Sequence, residues 1–179
     1  MTKPMNIAAM EKHTGKAWSE WVTLLDAAGG RGMPHNEIAI VVNKIVNHGW
    51  WAQGIAIAYE QHIGRRKPGQ KSDGTYEISV SKTLDIAMNL LMDAWADFSA
   101  SDKDIQKMIA GSPRISGTDK RMNWRAKLKD GTNIAVTAEP RSNGKSAIII
   151  VQSKLAEESD MEKSKTFWKA KLDKVTSGK

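Results

Sequence analysis

Arg121-Met122-Asn123-Trp124-Arg125-Ala126-Lys127-Leu128-Lys129-Asp130-Gly131-Thr132-Asn133-Ile134-Ala135-Val136-Thr137-Ala138 alternates apolar and polar residues on both sides of an Asp-Gly pair. A period of two sends successive side chains to opposite faces, so the segment predicts two strands of a hairpin with one buried face. A two-residue turn at Asp130-Gly131 would set Leu128 opposite Asn133 and split the apolar residues between the faces. A three-residue loop, Lys129-Asp130-Gly131 with Gly131 left-handed, pairs Trp124 with Val136 and Ala126 with Ile134. That loop keeps the apolar residues together and is the one the sequence predicts.

Working outward, Asn143-Gly144 marks a second hairpin, and Ala147-Ile148-Ile149-Ile150-Val151 follows it. A continuous apolar run predicts a central strand over 145–153, buried on both faces. Upstream, Tyr76, Ile78, Val80 and Leu84 alternate with Glu77, Ser79, Ser81 and Thr83, another half-buried strand that Lys82 interrupts near its end. Between these strands, a helix is expected from about Ile86 to Phe98, and Ser101 or Asp102 is placed to cap a short one reaching Ile109. Gly111-Ser112-Pro113 stops it, and any strand between Ile109 and Arg121 is expected to be very short. The chain closes with a helix over 159–175, with Met161, Trp168, Leu172 and Val175 on one face and lysines on the other.

Gly64-Arg65-Arg66-Lys67-Pro68-Gly69-Gln70-Lys71-Ser72-Asp73-Gly74 contains no large apolar residue and separates helical from strand patterning. It reads as a solvated basic linker. Before it, three helices are expected. Thr14 is placed to cap the first, in which Trp18, Trp21, Val22 and Leu25 share a face before Gly29-Gly30. Pro34 and Glu37 suit the opening turn of the second, with Ile38, Val41, Val42 and Ile45 as its stripe. The third runs from about Trp50 to Ile63, and Gly54 weakens it by about 1 kcal/mol relative to Ala unless something packs close. The expected organisation is a helical module over 1–63, a linker over 64–75 and an α+β module over 76–179.

The chain has 179 residues, a formal charge of +7 and no cysteine, which excludes disulfides, thiol catalysis and cysteine–zinc sites. Its basic residues are mostly interspersed with acids. No run approaches the ~18 apolar residues of a membrane span. Met1-Thr2-Lys3-Pro4-Met5-Asn6 lacks the apolar core of a signal peptide, so a cytoplasmic protein is expected.

The order strand, helix, helix, antiparallel strands, long helix, with Trp124, the Asp130-Gly131 turn, Lys145-Ser146 before an apolar strand and Trp168 in the last helix, resembles the START-like SRPBCC superfamily. Within it, the branch related to activators of the Hsp-ninety ATPase is the most similar. The resemblance covers about residues 75–176. It implies a curved antiparallel sheet around the terminal helix, leaving a cavity for an apolar ligand. This module is shorter than a full member, so the cavity is expected to be small, open or closed by the helical module. The segments Thr14-Gly15-Lys16-Ala17-Trp18, Gly49-Trp50-Trp51-Ala52-Gln53 and Tyr59-Glu60-Gln61 resemble a small bacterial domain family of unknown function that precedes START-like domains. That similarity covers about residues 7–63 and implies no activity.

His13, His35, His48 and His62 have no spacing that puts two on one helical turn, so no metal is expected. Glu60 and His62 point apart at i and i+2 and read as surface residues. Asp85, Lys82 and Arg125 are the weak candidates for acid–base chemistry, and no catalytic residue and no cofactor is expected. A helix-turn-helix outline around Asn47-His48-Gly49 raises DNA binding as the alternative. The would-be reading helix, however, has no lysine or arginine before Arg65, so nucleic acid is not expected as a partner. The preferred reading is non-enzymatic binding of a hydrophobic small molecule or a protein partner in a START-like cavity. Trp95, Trp124, Val136, Ile148, Ile150, Trp168 and Leu172 are the expected lining. Trp50 and Trp51 are adjacent and cannot both face one core, so they are the expected interface, with a homodimer as one partnership.

Overall fold

A computed structural model describes residues 5–176. The expected modules also include residues 1–4 and 177–179, which lie outside the described residues. The chain forms two compact units, Met1–Gly74 and Thr75–Lys179.

The first unit contains α1 (Ile7–Thr14), α2 (Trp18–Ala27), α3 (His35–Val46) and α4 (Gly49–His62). The three expected helices are α2, α3 and α4, and α1 precedes them. Thr14 therefore ends a helix instead of capping one. Its hydroxyl donates to the Met10 carbonyl at 2.9 Å and accepts the Trp21 indole N–H at 3.2 Å. Glu20 reaches back to the Ala17 N–H at 2.7 Å and closes the start of α2 in Thr14's place. Gly54 has its reason in packing: a Cβ there would lie 3.3 Å from the Met5 methyl and 3.4 Å from that of Met10.

The basic run after α4 is not simply solvated. Glu60 is 3% exposed, so it is a buried carboxylate and not the surface residue its position suggested. Arg66 Nε lies 3.0 Å from Glu60 Oε2, His35 Nδ1 lies 2.9 Å from the same oxygen, and His35 Nε2 lies 2.7 Å from Gln53 Oε1. Arg65 donates to the Met33 carbonyl at 2.6 Å and to that of Arg31. A carboxylate out of water needs such partners, and this demand draws Arg65 and Arg66 onto the helices. On the same unit Tyr59 donates to Asp26 at 2.5 Å, and this bond, helped by Arg31, holds the Asp26 carboxyl below its usual range.

The second unit contains β1 (Tyr76–Leu84), α5 (Met88–Ser101), α6 (Lys103–Met108), β2 (Arg114–Thr118), β3 (Arg121–Lys127), β4 (Asn133–Pro140), β5 (Ser146–Leu155) and α7 (Glu158–Thr176). The strands form one antiparallel sheet in the order β1-β5-β4-β3-β2, an α+β arrangement with a long C-terminal helix consistent with the expected START-like fold. Trp124 pairs with Val136 and Ala126 with Ile134, and Gly131 has φ +86°, so the three-residue loop is present. Segment 109–121, expected to be nearly strandless, supplies the five-residue β2. β5 is internal as expected, but only one of its faces is fully covered: Ile148, Ile150 and Gln152 are buried, while Ile149 and Val151 are half-buried.

Two helices share the covered face. α7 packs on β1 and β5, and α5 packs on β3, β4 and β5. Asp102 caps α6, accepting the N–H groups of Asp104 and Ile105 at 3.0 Å each. The same carboxylate holds Lys171 Nζ at 2.8 Å, and Asp104 Oδ2 lies 2.7 Å from that ammonium. Lys171 is therefore buried, at 4% exposed, although it belongs to the lysine face expected in water. Lys82 interrupts the apolar pattern of β1 because it too reaches α7, at 3.1 Å from Asp173 and 2.8 Å from the Thr176 hydroxyl.

Glu60→Ala strands Arg66 and His35 and is expected to cost about 3–5 kcal/mol in denaturant unfolding; a loss under about 1 kcal/mol would show that the cluster is dispensable. Burial pushes the Asp102 carboxyl up, but hydrogen bonds from Lys171 and from the α6 N–H groups outweigh it, and the net shift is downward. Its contribution is then full above the unfolded pKa of about 3.9 and disappears as pH falls through the lower folded value. The stability gap between the natural chain and Asp102→Asn should be constant above about pH 5 and close in stronger acid. A gap that persists unchanged into strong acid contradicts this assignment.

Candidate functional site

The covered face of the sheet is built from cross-strand rows. Val80, Ile150, Val136, Trp124 and Ile115 are successive partners across all five strands. α5 brings Trp95 and α7 brings Trp168 onto this face. The Trp95 ring centroid lies 5.8 Å from that of Trp124, nearly perpendicular, and 6.3 Å from that of Trp168. Edge-to-face and tilted contacts of this kind fill space tightly.

All seven residues expected to line a cavity thus come together in one cluster. Trp95, Val136, Ile148, Ile150 and Trp168 are 0% exposed and Trp124 and Leu172 are 2% exposed, so all seven are buried. They form a packed core, and the depression at the end of β5 is not lined by them. α5 and α7 cover this face of the sheet.

Two polar features interrupt this core. Trp168 Nε1 donates to Gln152 Oε1 at 2.6 Å, Gln152 Nε2 donates to Thr132 Oγ1 at 2.9 Å, and Thr132 Oγ1 donates to Asp130 Oδ1 at 2.7 Å. Every donor points the same way, from the aromatic cluster to a carboxylate at the surface, an order in which each bond polarises the next. The second feature is Trp95 Nε1, which is buried with no hydrogen-bond partner. Such an orphan donor costs about 1–3 kcal/mol.

The chain of donors ends at a depression of about 340 Å³ lined by Met108, Asp130, Thr132, Gln152, Lys154, Ser164 and their neighbours. It lies at the mouth formed by the β3–β4 loop, the end of β5 and the first turns of α7. A β-bulge shapes its rim. Tyr76 pairs with Leu155 but Glu77 pairs with Ser153, which leaves Lys154 as the extra residue, at φ +65°. Bulges re-aim side chains, and here the lysine is turned to the mouth without an ion-pair partner among the described residues.

The other candidates separate. Trp50 is 68% exposed, while Trp51 is half-buried and stacks on His13 at 4.4 Å. Asp85 is exposed, Lys82 is engaged by Asp173, and Arg125 lies on the outer face of the sheet, so the three are not assembled into one site. His13 and His48, distant in sequence, have ring centroids 5.6 Å apart, yet no cluster of three or more metal-ligating side chains occurs among the described residues. Sequence reasoning missed Gln152 and Thr132. The one available signal was a glutamine in phase with Ile148 and Ile150 on a buried strand face.

No protein-family model matches this chain, and no curated protein matches it in sequence. The resemblance of residues 7–63 to a helical family therefore rests on the residues quoted above alone. Among solved structures, the chain is similar to the Aha1 dimer of Colwellia psychrerythraea, at 16% identity and a TM-score of 0.37, over 55% of this chain and 92% of that one. It is also similar to CalU16 of Micromonospora echinospora, at 9% identity and a TM-score of 0.32, over 54% and 71%. At these levels neither protein's activity transfers to this chain. No helix among the described residues is long and apolar enough to cross a membrane.

The two core tryptophans make a clean comparison. Trp168→Phe leaves Gln152 Oε1 buried without its donor, whereas Trp95→Phe removes a donor that had no partner. With similar volumes lost, Trp168→Phe is expected to be the more destabilising by about 1–3 kcal/mol in urea unfolding. Equal losses would mean that the Trp168–Gln152 bond contributes nothing net.

Proposed function

We propose that the second unit is a non-enzymatic binding module for a small, largely hydrophobic molecule that carries a hydrogen-bond acceptor. The unpartnered buried N–H of Trp95 carries this reading. A guest acceptor placed against it recovers the free energy the empty fold forgoes. The path inward starts at the mouth beside Gln152, whose amide is already bonded to Trp168. Because the cluster is closed, binding requires its side chains to move apart, so the guest is enclosed as the core opens and does not enter a preformed cavity. Trp95, Trp124, Val136, Ile148, Ile150, Trp168 and Leu172 are then the surfaces exposed to it.

The exposed ring of Trp50 favours a second, compatible reading: the helical unit offers it to a protein partner, including another copy of the chain. A DNA-reading role is less well supported. α4 carries no lysine or arginine, Glu60 on it is buried, and Gln53 is occupied by His35.

Native mass spectrometry of the full chain, purified gently from its own cells, is expected to show a retained small molecule, with clearly lower occupancy in Trp95→Phe. A bare polypeptide mass, together with tryptophan emission that does not respond to titrated lipophilic carbonyl compounds, would overturn the proposal.

A further inference from the structure

The β2 edge of the sheet has a different chemistry on each face. On the covered side, the apolar row Val80–Ile150–Val136–Trp124–Ile115 runs across five strands and stops at Ile115, which is 55% exposed. On the outer side, Arg114 of β2 stands directly opposite Arg125 of β3, and Lys127 follows Arg125 on the same face two residues on. Like charges directly opposite each other are unfavourable in a sheet. No ion-pair partner for Arg114, Arg125 or Lys127 is found among the described residues. The nearby acid on this face, Glu139, is already shared by Arg121 and Arg141. Asp119 lies in the β2–β3 turn, beyond the stripe.

All five residues of β2 are exposed, and among the described residues β2 pairs with β3 alone. Its outward backbone groups thus form an open template. Proteins commonly guard such an edge with one inward-pointing charge or a proline. β2 has no inward-pointing charge: its inward-facing residues are Ile115 and Gly117, its charge faces outward, and its proline, Pro113, stands just before the strand.

We propose that the free edge of β2 takes an extended segment of a partner protein as a sixth strand, and that this segment alternates acidic and apolar residues. Strand addition satisfies the open N–H and C=O groups. Alternation follows from the pleat: every second side chain of the added strand falls beside Ile115 and prolongs the apolar row, and the others fall on the face of Arg114, with Arg125 one strand further in. Charge complementarity selects an acidic partner over a second copy of this chain, whose own β2 would bring further arginine to the same face.

The test is fluorescence anisotropy with the full chain and a capped peptide of alternating Glu and Val, as long as β2. Controls are a peptide of the same composition with its Glu and Val in separate blocks, and an alternating Lys-Val peptide. The alternating acidic peptide is expected to bind at least about tenfold more tightly than either control, and less tightly as salt rises. Arg114→Glu with Arg125→Glu, checked as folded by circular dichroism, should weaken it at least about tenfold and turn the preference toward the Lys-Val peptide. Equal binding of the block peptide would reduce the site to a diffuse charge patch and overturn the strand. Unchanged affinity in the folded double variant would overturn the charge assignment. Sedimentation showing a dimer that Ile115→Lys dissociates, and that the acidic peptide does not compete away, would give the edge to a second copy instead.

Discussion

The second unit depends on one backbone constraint, the register of the β3–β4 hairpin. Gly131, at φ +86°, lets the chain turn in three residues. It thereby fixes Trp124 opposite Val136 and Ala126 opposite Ile134. A slip of one residue would exchange the faces of the whole strand. Trp124 would then stand in water, and Arg125 and Lys127 would enter the core. Because β4 continues the rows into β5 and β5 into β1, the same parity places Ile148, Ile150 and Val80 under the helices. The aromatic cluster, the hydrogen-bond chain and the basic outer face are all consequences of that parity.

Patterns that repeat locally were legible in the sequence. The strand period in 121–138 settled loop length and register, and a cap at Ser101 or Asp102 was legible before a short amphipathic turn, the structure choosing Asp102. Residues whose role depends on a distant partner were not. Lys171 looked like one solvated lysine among several, and the carboxylates of Asp102 and Asp104, 69 and 67 positions away, make its burial tolerable. Glu60 and Arg66 looked like surface and linker for the same reason: their pairing with each other and with His35 exists only once α3 and α4 pack. Whether the enclosed space would be filled was equally invisible. It depends on summed side-chain volume over five strands and two helices, which no local period encodes.

The packed interior changes how a binding role has to be understood. An open cavity would lower the ordering cost of a guest; a closed one makes the guest compete with the protein's own contacts, each weak but many. The aromatic cluster lowers that penalty at one place. Trp95 already lacks a partner for its N–H, so an intruding acceptor gains a bond that the closed state does not have to give up. Gln152 is the opposite case. Both ends of its amide are engaged, so disturbing it would cost two bonds, and it is better suited to hold Trp168 in place than to meet a ligand.

Filling the interior also moves the sheet's unsatisfied potential outward. With the covered face buried on α5 and α7, what remains unmet is at the margins: an apolar row that ends in the open at Ile115, backbone groups without a neighbour along β2, and arginines set against each other across β2 and β3. Each alone is ordinary for a surface strand. Ile115 and Arg114 stand on opposite faces of the same five-residue strand, so one added strand would meet both, with Arg125 one strand further in. A charge placed only to keep the protein from aggregating would serve better pointing inward, at position 115, where it would interrupt the apolar row. Here the isoleucine continues that row and the charges stand on the other side, an arrangement that discriminates between incoming strands instead of excluding every one.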